Sequence, residues 1–159
     1  MKNLKLNNAN LVKSRHRCYT YRKRILDISQ KVSALHIGGA FSSIEIIDFI
    51  YHHLLNDKKL DNKDLFILSK GHSAIAQYVV LESLNILKKK DIDSYCTPDG
   101  ILGCHPDIEN NGINASTGSL GHGLAIAVGI AHSFKIKKTN QKCFVVMSDG
   151  ELQEGSTWE

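Results

Sequence analysis

Apolar residues recur at helical spacing through the first part of the chain. The repeat predicts a helix over residues 10–34, and we expect a break at Gly38-Gly39 because glycine is a poor helix former. The apolar stripe of this helix consists of Cys18, Tyr21, Ile25, Ile28, Val32 and Leu35. Such a helix packs its stripe on a core and leaves its polar side in water.

A second helix is predicted directly after Ser42-Ser43-Ile44-Glu45. A serine followed three residues later by a glutamate is the capping-box pattern, which marks the start of a helix. The helix that follows has one apolar side, formed by Ile44, Ile47, Tyr51 and Leu54. We therefore expect two amphipathic helices before the first strand.

Two short apolar runs, Leu65–Leu68 and residues 143–147, have the length and composition of buried strands. A helix over residues 73–87 is predicted after the first, and one over residues 119–137, rich in glycine and alanine, before the second. Alternating strands and helices predict one domain of the α/β class, with a parallel sheet flanked by helices. The small residues of the last helix allow either tight packing or close approach of a cofactor.

Between these helices, the pattern predicts a short helix or turn at residues 91–96 and an irregular stretch over residues 97–117 that holds both prolines. Irregular stretches of this length inside a compact domain usually carry function. The last segment, residues 151–159, is predicted to begin another helix after the second strand.

Composition limits the possible partners. The chain has 159 residues, 42% hydrophobic and 23% charged, which suits one globular domain with a core. Its net charge of +4 comes from residues 1–31, where Asp27 is the single acid. We interpret these basic residues as the solvated side of the first helix rather than a nucleic-acid site, because aromatic residues do not interleave with them and no nucleic-acid motif is present.

Cysteine usage and the N-terminus favour a cytoplasmic protein. The four cysteines form no Cys-x-x-Cys pair, so we expect reduced thiols rather than a disulfide framework. A zinc site at Cys96, Cys104 and His105 is disfavoured, because structural zinc sites use closely spaced ligand pairs. The sequence contains neither a secretory signal nor an apolar run long enough to span a membrane.

The first candidate for chemistry follows the second predicted strand. Ligands of open α/β sheets lie outside the carboxyl ends of the strands, where Asp149 and Gly150 stand. An aspartate there can hold a divalent cation such as Mg²⁺, and the glycine lets a phosphate approach the backbone. Asp-Gly is also a common turn pair, so this motif alone is better explained as a plain strand-to-helix turn.

Two further segments support a ligand site. Lys70-Gly71-His72-Ser73 follows the first predicted strand, and Gly118-Ser119-Leu120-Gly121-His122-Gly123 opens the helix of residues 119–137. Both place glycine at the start of a helix, where unpaired N–H groups and the helix dipole favour anions.

Four ordered motifs across residues 36–159 resemble the N-terminal half of transketolases. They are residues 68–72 (LSKGH), 103–107 (GCHPD), 116–123 (STGSLGHG) and 149–159 (DGELQEGSTWE). The last is most similar to the separately encoded N-terminal subunits of split transketolases. The resemblance implies a thiamine diphosphate-binding fold, thiamine diphosphate as cofactor, and Mg²⁺ or another divalent cation.

The resemblance also implies a role for each matching residue. Asp149 would ligate the metal, and the backbone of Gly150 and the side chain of His72 would contact the diphosphate. The backbone of Gly118 and Leu120 would contact the aminopyrimidine ring of the cofactor.

Four other residues would act on the substrate and between subunits. The resemblance implies that His36 and His105 bond sugar hydroxyls in the substrate channel. Glu154 and Glu159 would lie near the subunit interface and help to link two active sites.

Three positions depart from the family pattern by carrying a larger residue than glycine. They are Leu35, Cys104 and Ser148, and we expect them to crowd the cofactor. In the family, a second metal ligand, an asparagine, lies further along the motif than residue 159. The glutamate that activates the cofactor ring belongs to the C-terminal half of the enzyme.

We therefore expect residues 1–159 to be the first part of a thiamine diphosphate-binding domain. The enzyme would transfer a two-carbon ketol unit between sugar phosphates, as in the pentose phosphate pathway. Its expected partner is a C-terminal transketolase subunit or domain in an oligomer, and the chain alone is expected to be inactive. Two alternatives stay open: another thiamine-dependent transferase component, and a non-catalytic remnant that acts only as an interaction protein.

Overall fold

A computed structural model of the chain describes residues 8–32, 35–56 and 63–159. Its elements are α1 (Asn8–Ser29), α2 (Ile37–Phe49), a π-helical turn (Ile50–Leu54), β1 (Leu65–Leu68), α3 (Ala74–Ser83), α4 (Lys89–Asp93), α5 (His122–Ile136), β2 (Cys143–Val146) and α6 (Gly155–Trp158). A single 3-10 turn follows each strand, at Gly71–Ser73 and at Gly150–Gln153.

The two strands lie side by side in parallel, as the sequence predicts. Their register pairs Leu65 with Cys143 and Leu68 with Val146. Beyond the last pair, the N–H of Ser69 donates to the Val146 carbonyl over 2.9 Å, so both strands leave the sheet at the same edge. Helices flank this sheet, which confirms the α/β arrangement.

The two faces of the sheet are buried unequally. Successive side chains of a strand point to opposite faces. Phe66 and Leu68 therefore join the main core with α1, α2 and α3, whereas Ile67 joins a small cluster with Ala127 of α5. The face of the sheet towards α3 is therefore covered by a large core, and the face towards α5 by a small one.

The apolar stripe predicted for the first helix is confirmed by four buried residues of α1: Cys18, Tyr21, Ile25 and Ile28. The helix itself ends at Ser29, earlier than predicted, and residues 33–34 of the prediction lie outside the described residues. A partly buried ion pair also joins α1 to α2, with Arg17 donating to both oxygens of the buried Asp48 over 2.7 and 2.8 Å. Burial alone would raise the pKa of Asp48, but the hydrogen bonds from Arg17 and Ser14 lower it below its usual range.

The start predicted for the second helix is wrong. The helix α2 begins at Ile37, so Gly38 and Gly39 form part of its first turn instead of breaking the chain. At Gly39 the reason is steric, because a Cβ there would lie 2.9 Å from Oγ of Ser73. Close packing of α2 against the start of α3 thus outweighs the poor helix propensity of glycine.

The capping box predicted at residues 42–45 is also absent. The hydroxyls of Ser42 and Ser43 donate to the Gly39 carbonyl over 3.0 and 2.9 Å, as serines inside a helix commonly do. Glu45 is bound by Arg22 of α1 instead. The predicted apolar side of this helix is confirmed, since Ile44 and Ile47 are fully buried.

The later elements differ from prediction mainly at their ends. Helix α3 stops at Ser83 rather than at residue 87, and α5 occupies most of the predicted range of residues 119–137. The predicted last helix is divided, because Glu154 is extended between a 3-10 turn and α6. Within the described ranges, every helix is too short or too polar to cross a lipid bilayer.

Candidate functional site

Three loops meet at the carboxyl edge of the sheet. The β1 loop (residues 69–73) follows β1, the α5 loop (residues 116–121) precedes α5, and the β2 loop (residues 147–150) follows β2. The hydroxyl of Thr117 donates to the Leu68 carbonyl over 2.6 Å. A Cβ on Gly71 would lie 2.7 Å from the Thr117 carbonyl oxygen, so only glycine permits this backbone contact between the β1 loop and the α5 loop.

Asp149 and Gly150 are open to solvent on the β2 loop. The Asp149 carboxylate accepts no hydrogen bond from any residue that the structure describes. The nearest atom to a Cβ built on Gly150 would be Oγ of Ser148, at 4.0 Å. An exposed carboxylate beside an accessible backbone suits the roles predicted for these two residues in metal and phosphate binding.

The β1 loop brings positive charge towards Asp149. Lys70 is buried, and its Nζ donates to Oγ of Ser42 over 3.3 Å. Burial lowers the pKa of Lys70, while attraction to Asp149 and Glu151 opposes this shift. A cation held next to an open carboxylate can contribute to binding an anion that also carries a metal ion.

The three histidines predicted to act in the site lie together. The rings of His36 and His72 meet edge to face, with centroids 5.5 Å apart. Burial lowers the pKa of His72, and the positive charge of Lys70 lowers it further, while the negative charge of Glu151 opposes the shift. The lowered pKa favours the neutral imidazole, which can donate one hydrogen bond.

His105 lies against the α5 loop. A Cβ on Gly118 would be 3.1 Å from Cδ2 of His105, so the missing side chain at this position makes room for the imidazole. Both residues line an open cavity of about 540 Å³. Its other lining residues are Ser116, Thr117, Ser119, His122 and Ile126. Leu120 is half-buried beside the cavity, and its carbonyl oxygen is 3.1 Å from Nδ1 of His122.

Glu154 and Glu159 lie outside this cluster. Both are exposed, and neither carboxylate makes a hydrogen bond to a residue in the part of the chain that the structure describes. Glu154 stands next to Gly121, whose φ of 81° places it in the left-handed region. Exposed positions suit contact with another chain, which is the role predicted for both glutamates.

The three positions with larger residues than the family pattern behave differently from one another. Leu35 packs against the main core, and the Ser148 hydroxyl lies 3.4 Å from the Glu151 carboxylate. Cys104 instead contacts a predicted site residue, with its Sγ 3.1 Å from Nδ1 of His105. The expected crowding therefore concerns Cys104 more than the other two positions.

Sequence reasoning missed the central residue of this region. Glu151 is completely buried, and its carboxylate accepts hydrogen bonds from all three loops. A sequence signal for this existed, because Ser148 and Glu151 have capping-box spacing. They form that reciprocal pair here: the Ser148 N–H donates to Oε2 of Glu151 over 2.8 Å, and the Glu151 N–H donates to Oγ of Ser148 over 3.3 Å.

The donor set fits a diphosphate with a cation better than a protein-enclosed metal ion. Within residues 8–32, 35–56 and 63–159, no three His, Cys, Asp or Glu side chains form a group that could hold a metal. Asp149 would therefore supply one ligand, and phosphate oxygens would supply others. The open backbone at Gly150 and the His72 imidazole would provide donors for those phosphates.

Comparison with known proteins identifies the family of the chain. The model of the transketolase thiamine diphosphate-binding domain matches residues 14–159. One of the subunits of the apulose-4-phosphate transketolase from Phocaeicola vulgatus is 40% identical over 142 residues, which covers 87% of this chain and 50% of the relative.

More distant relatives agree with this match. A 6-deoxy-6-sulfo-D-fructose transketolase subunit from a Clostridium species is 31% identical, with 91% of this chain and 54% of the relative covered. A transketolase crystal structure from Pichia stipitis superposes with a TM-score of 0.76 at 24% identity, covering 91% of this chain and 24% of the other, and so supports the fold alone. The chain spans about half the length of the subunit relatives that it matches.

Proposed function

The chain belongs to the transketolase thiamine diphosphate-binding family, and we propose that it forms the diphosphate-binding part of an enzyme that transfers a two-carbon ketol unit between sugar phosphates. The observation that carries this proposal is the meeting of three loops at one edge of a parallel sheet. There Lys70 and His72 stand on the loop after β1, and the exposed Asp149 and Gly150 stand on the loop after β2.

The proposal assigns each residue a task that its surroundings support. Asp149 holds Mg²⁺ or another divalent cation through its exposed carboxylate, and the Gly150 backbone and His72 donate to the diphosphate. The cavity beside Gly118 and Leu120 receives the aminopyrimidine ring. Once bound, thiamine diphosphate supplies the carbanion chemistry, so the tasks of the protein are binding, orientation and exclusion of water.

We assign substrate recognition to His36 and His105. Both are exposed next to the less exposed His72, where a sugar hydroxyl can reach their ring nitrogens. The Cys104 thiol, 3.1 Å from Nδ1 of His105, leaves Nε2 as the nitrogen available to substrate. Substrates are proposed as sugar phosphates because two relatives are named for apulose 4-phosphate, which is a sugar phosphate.

A second chain is part of the proposal. Two relatives are named as transketolase subunits, which implies a partner subunit in those enzymes. In this chain, α5 and α6 leave four apolar side chains exposed: Ile126, which lines the cavity, and Val128, Ile136 and Trp158. A C-terminal transketolase subunit would cover this surface together with Glu154 and Glu159. All four cysteine thiols are free, which supports the cytoplasm as its location.

The metal assignment can be tested on the chain itself by NMR titration with Mg²⁺ and thiamine diphosphate. Because the proposed partner is not present in this titration, we expect weak binding, with amide shifts concentrated at His72, Gly118, Asp149 and Gly150. Asp149→Asn keeps the shape of the side chain but removes the charge that attracts the cation, so it should abolish the Mg²⁺-dependent shifts.

Asp99→Asn is the matched control, because Asp99 is also exposed but lies outside the three loops. It should leave the titration unchanged. Normal Mg²⁺-dependent shifts in Asp149→Asn would refute the metal site. Absence of any shift in the unsubstituted chain would favour the alternative of a non-catalytic interaction protein.

A further inference from the structure

We propose that Glu151 is a positioning residue that fixes the three loops of the candidate site relative to one another. That these loops bind a cofactor rests on the proposed function. The contacts of Glu151 do not depend on it. Its side chain is 0% exposed, although it follows the exposed Asp149 by only two residues.

Each carboxylate oxygen of Glu151 binds a different part of the site. Oε1 accepts the hydroxyl of Ser69 in the β1 loop over 2.5 Å and the N–H of Gly121 in the α5 loop over 3.0 Å. Oε2 accepts the N–H of Ser148 in the β2 loop over 2.8 Å, with the Ser148 hydroxyl at 3.4 Å. One side chain therefore connects loops that are far apart in sequence.

The geometry requires a carboxylate at this position. All four atoms that approach Glu151 can donate a hydrogen bond, and two of them, the N–H groups of Gly121 and Ser148, can only donate. A carboxylate presents acceptors on both sides, whereas a glutamine presents an acceptor on one side and an NH₂ group on the other. With glutamine, one of the two backbone N–H groups must lose its acceptor in either orientation of the amide.

The position of these donors explains why the connection matters for binding. Ser148 directly precedes Asp149, and Gly121 has a φ of 81° where the α5 loop enters its helix. Ser69 directly precedes Lys70. Fixing these three points orients the Asp149 carboxylate, the α5 loop backbone and the β1 loop cation before any ligand arrives, so less ordering is needed on binding.

The test compares Glu151→Gln with Glu109→Gln in an exposed loop, using amide hydrogen exchange of the full chain without ligand. We expect exchange at Gly121 or Ser148 to rise by roughly 5- to 100-fold in Glu151→Gln, with smaller increases along the three loops and little change in α3. Glu109→Gln should change neither. Unchanged exchange at both amides, or an equal rise throughout the core, would overturn the proposal.

Ser69→Ala provides a second variant that removes only one donor. It should loosen the β1 loop and leave the reciprocal pair of Ser148 and Glu151 intact, and its effect should shrink when Glu151→Gln is already present. Independent effects of the two substitutions would contradict a shared connection.

A titration of Glu151→Gln with Mg²⁺ and thiamine diphosphate completes the test. The affinity of this variant for the cofactor should be lower than that of the unsubstituted chain, after correction for any difference in the fraction of folded protein. An unchanged affinity would show that cofactor binding does not depend on Glu151. If the unsubstituted chain bound no cofactor while exchange behaved as expected, the proposed function would fail and the connection between the loops would stand.

Discussion

The helices α3 and α5 are both rich in apolar and small residues, yet they differ sharply in burial. Residues 74–81 of α3 are all buried, whereas only Gly123, Ala127 and Phe134 of α5 are buried. The difference arises from their neighbours, since α1 and α2 cover α3 while α5 packs mainly on the small cluster around Ile67.

This comparison shows that apolar content alone does not determine whether a helix belongs to the core. On α5, exposed side chains such as Val128 and Ile136 lie on the same helix as Ile126, which lines the cavity. Val128 and Ile136 lie on the side of α5 opposite its buried residues, and exposed apolar side chains on one side of a helix can mark a surface that meets another molecule. We therefore interpret α3 as the support of the candidate site and α5 as the helix that would face the proposed partner.

The largest expected effect comes from the same substitution made on both helices. Ile75→Ala, at a residue 1% exposed on α3, should lower the free energy of unfolding by about 2–5 kcal/mol because it removes buried contacts and leaves a cavity. Ile136→Ala, at a residue 68% exposed on α5, should change it by less than about 0.5 kcal/mol. Urea unfolding of both variants measures the difference. Equal losses would mean that α5 is covered in solution.

An intermediate effect is expected on association. Val128→Lys places a charge on the exposed side of α5 and should reduce self-association of the chain, measured by sedimentation velocity over a concentration series. Ile101→Lys is the control, because Ile101 is equally exposed on a loop outside α5. If the two variants associated to the same extent, or if the unsubstituted chain stayed a monomer throughout, the exposed side of α5 would not be responsible for self-association.

The smallest expected effect concerns an ion pair between α1 and α2, the two helices that cover α3. Arg22 binds the half-exposed Glu45 and lowers its pKa, and this pair should contribute less than about 1 kcal/mol. Because the pKa is lowered on folding, the contribution is present above the unfolded pKa of about 4.3 and is lost as pH falls through the folded value. Unfolding of Glu45→Gln at several pH values tests this, since the variant should lack that part of the acid dependence.

The sequence predicted the α/β class, both strands, the parallel sheet and the apolar side of α1, because these depend on local periodicity and on the neighbours that periodicity demands. It failed at the start of α2, where the packing of Gly39 on Ser73 overrides the local propensity of glycine. It also placed the capping box at residues 42–45 rather than at residues 148–151. Both errors have one origin. A short local pattern is compatible with more than one structure, and tertiary contacts decide which one forms.

The candidate site, too, was predictable from the sequence only in part. The sequence by itself determined which residue types stand after each strand, and the family resemblance of those motifs was enough to predict Asp149, His72 and the α5 loop as parts of one site. Only the tertiary structure decided that Glu151 is buried between the three loops while Asp149 remains exposed. The physical reason is that a carboxylate can leave water when several donors surround it, and those donors come from segments whose meeting the sequence does not state.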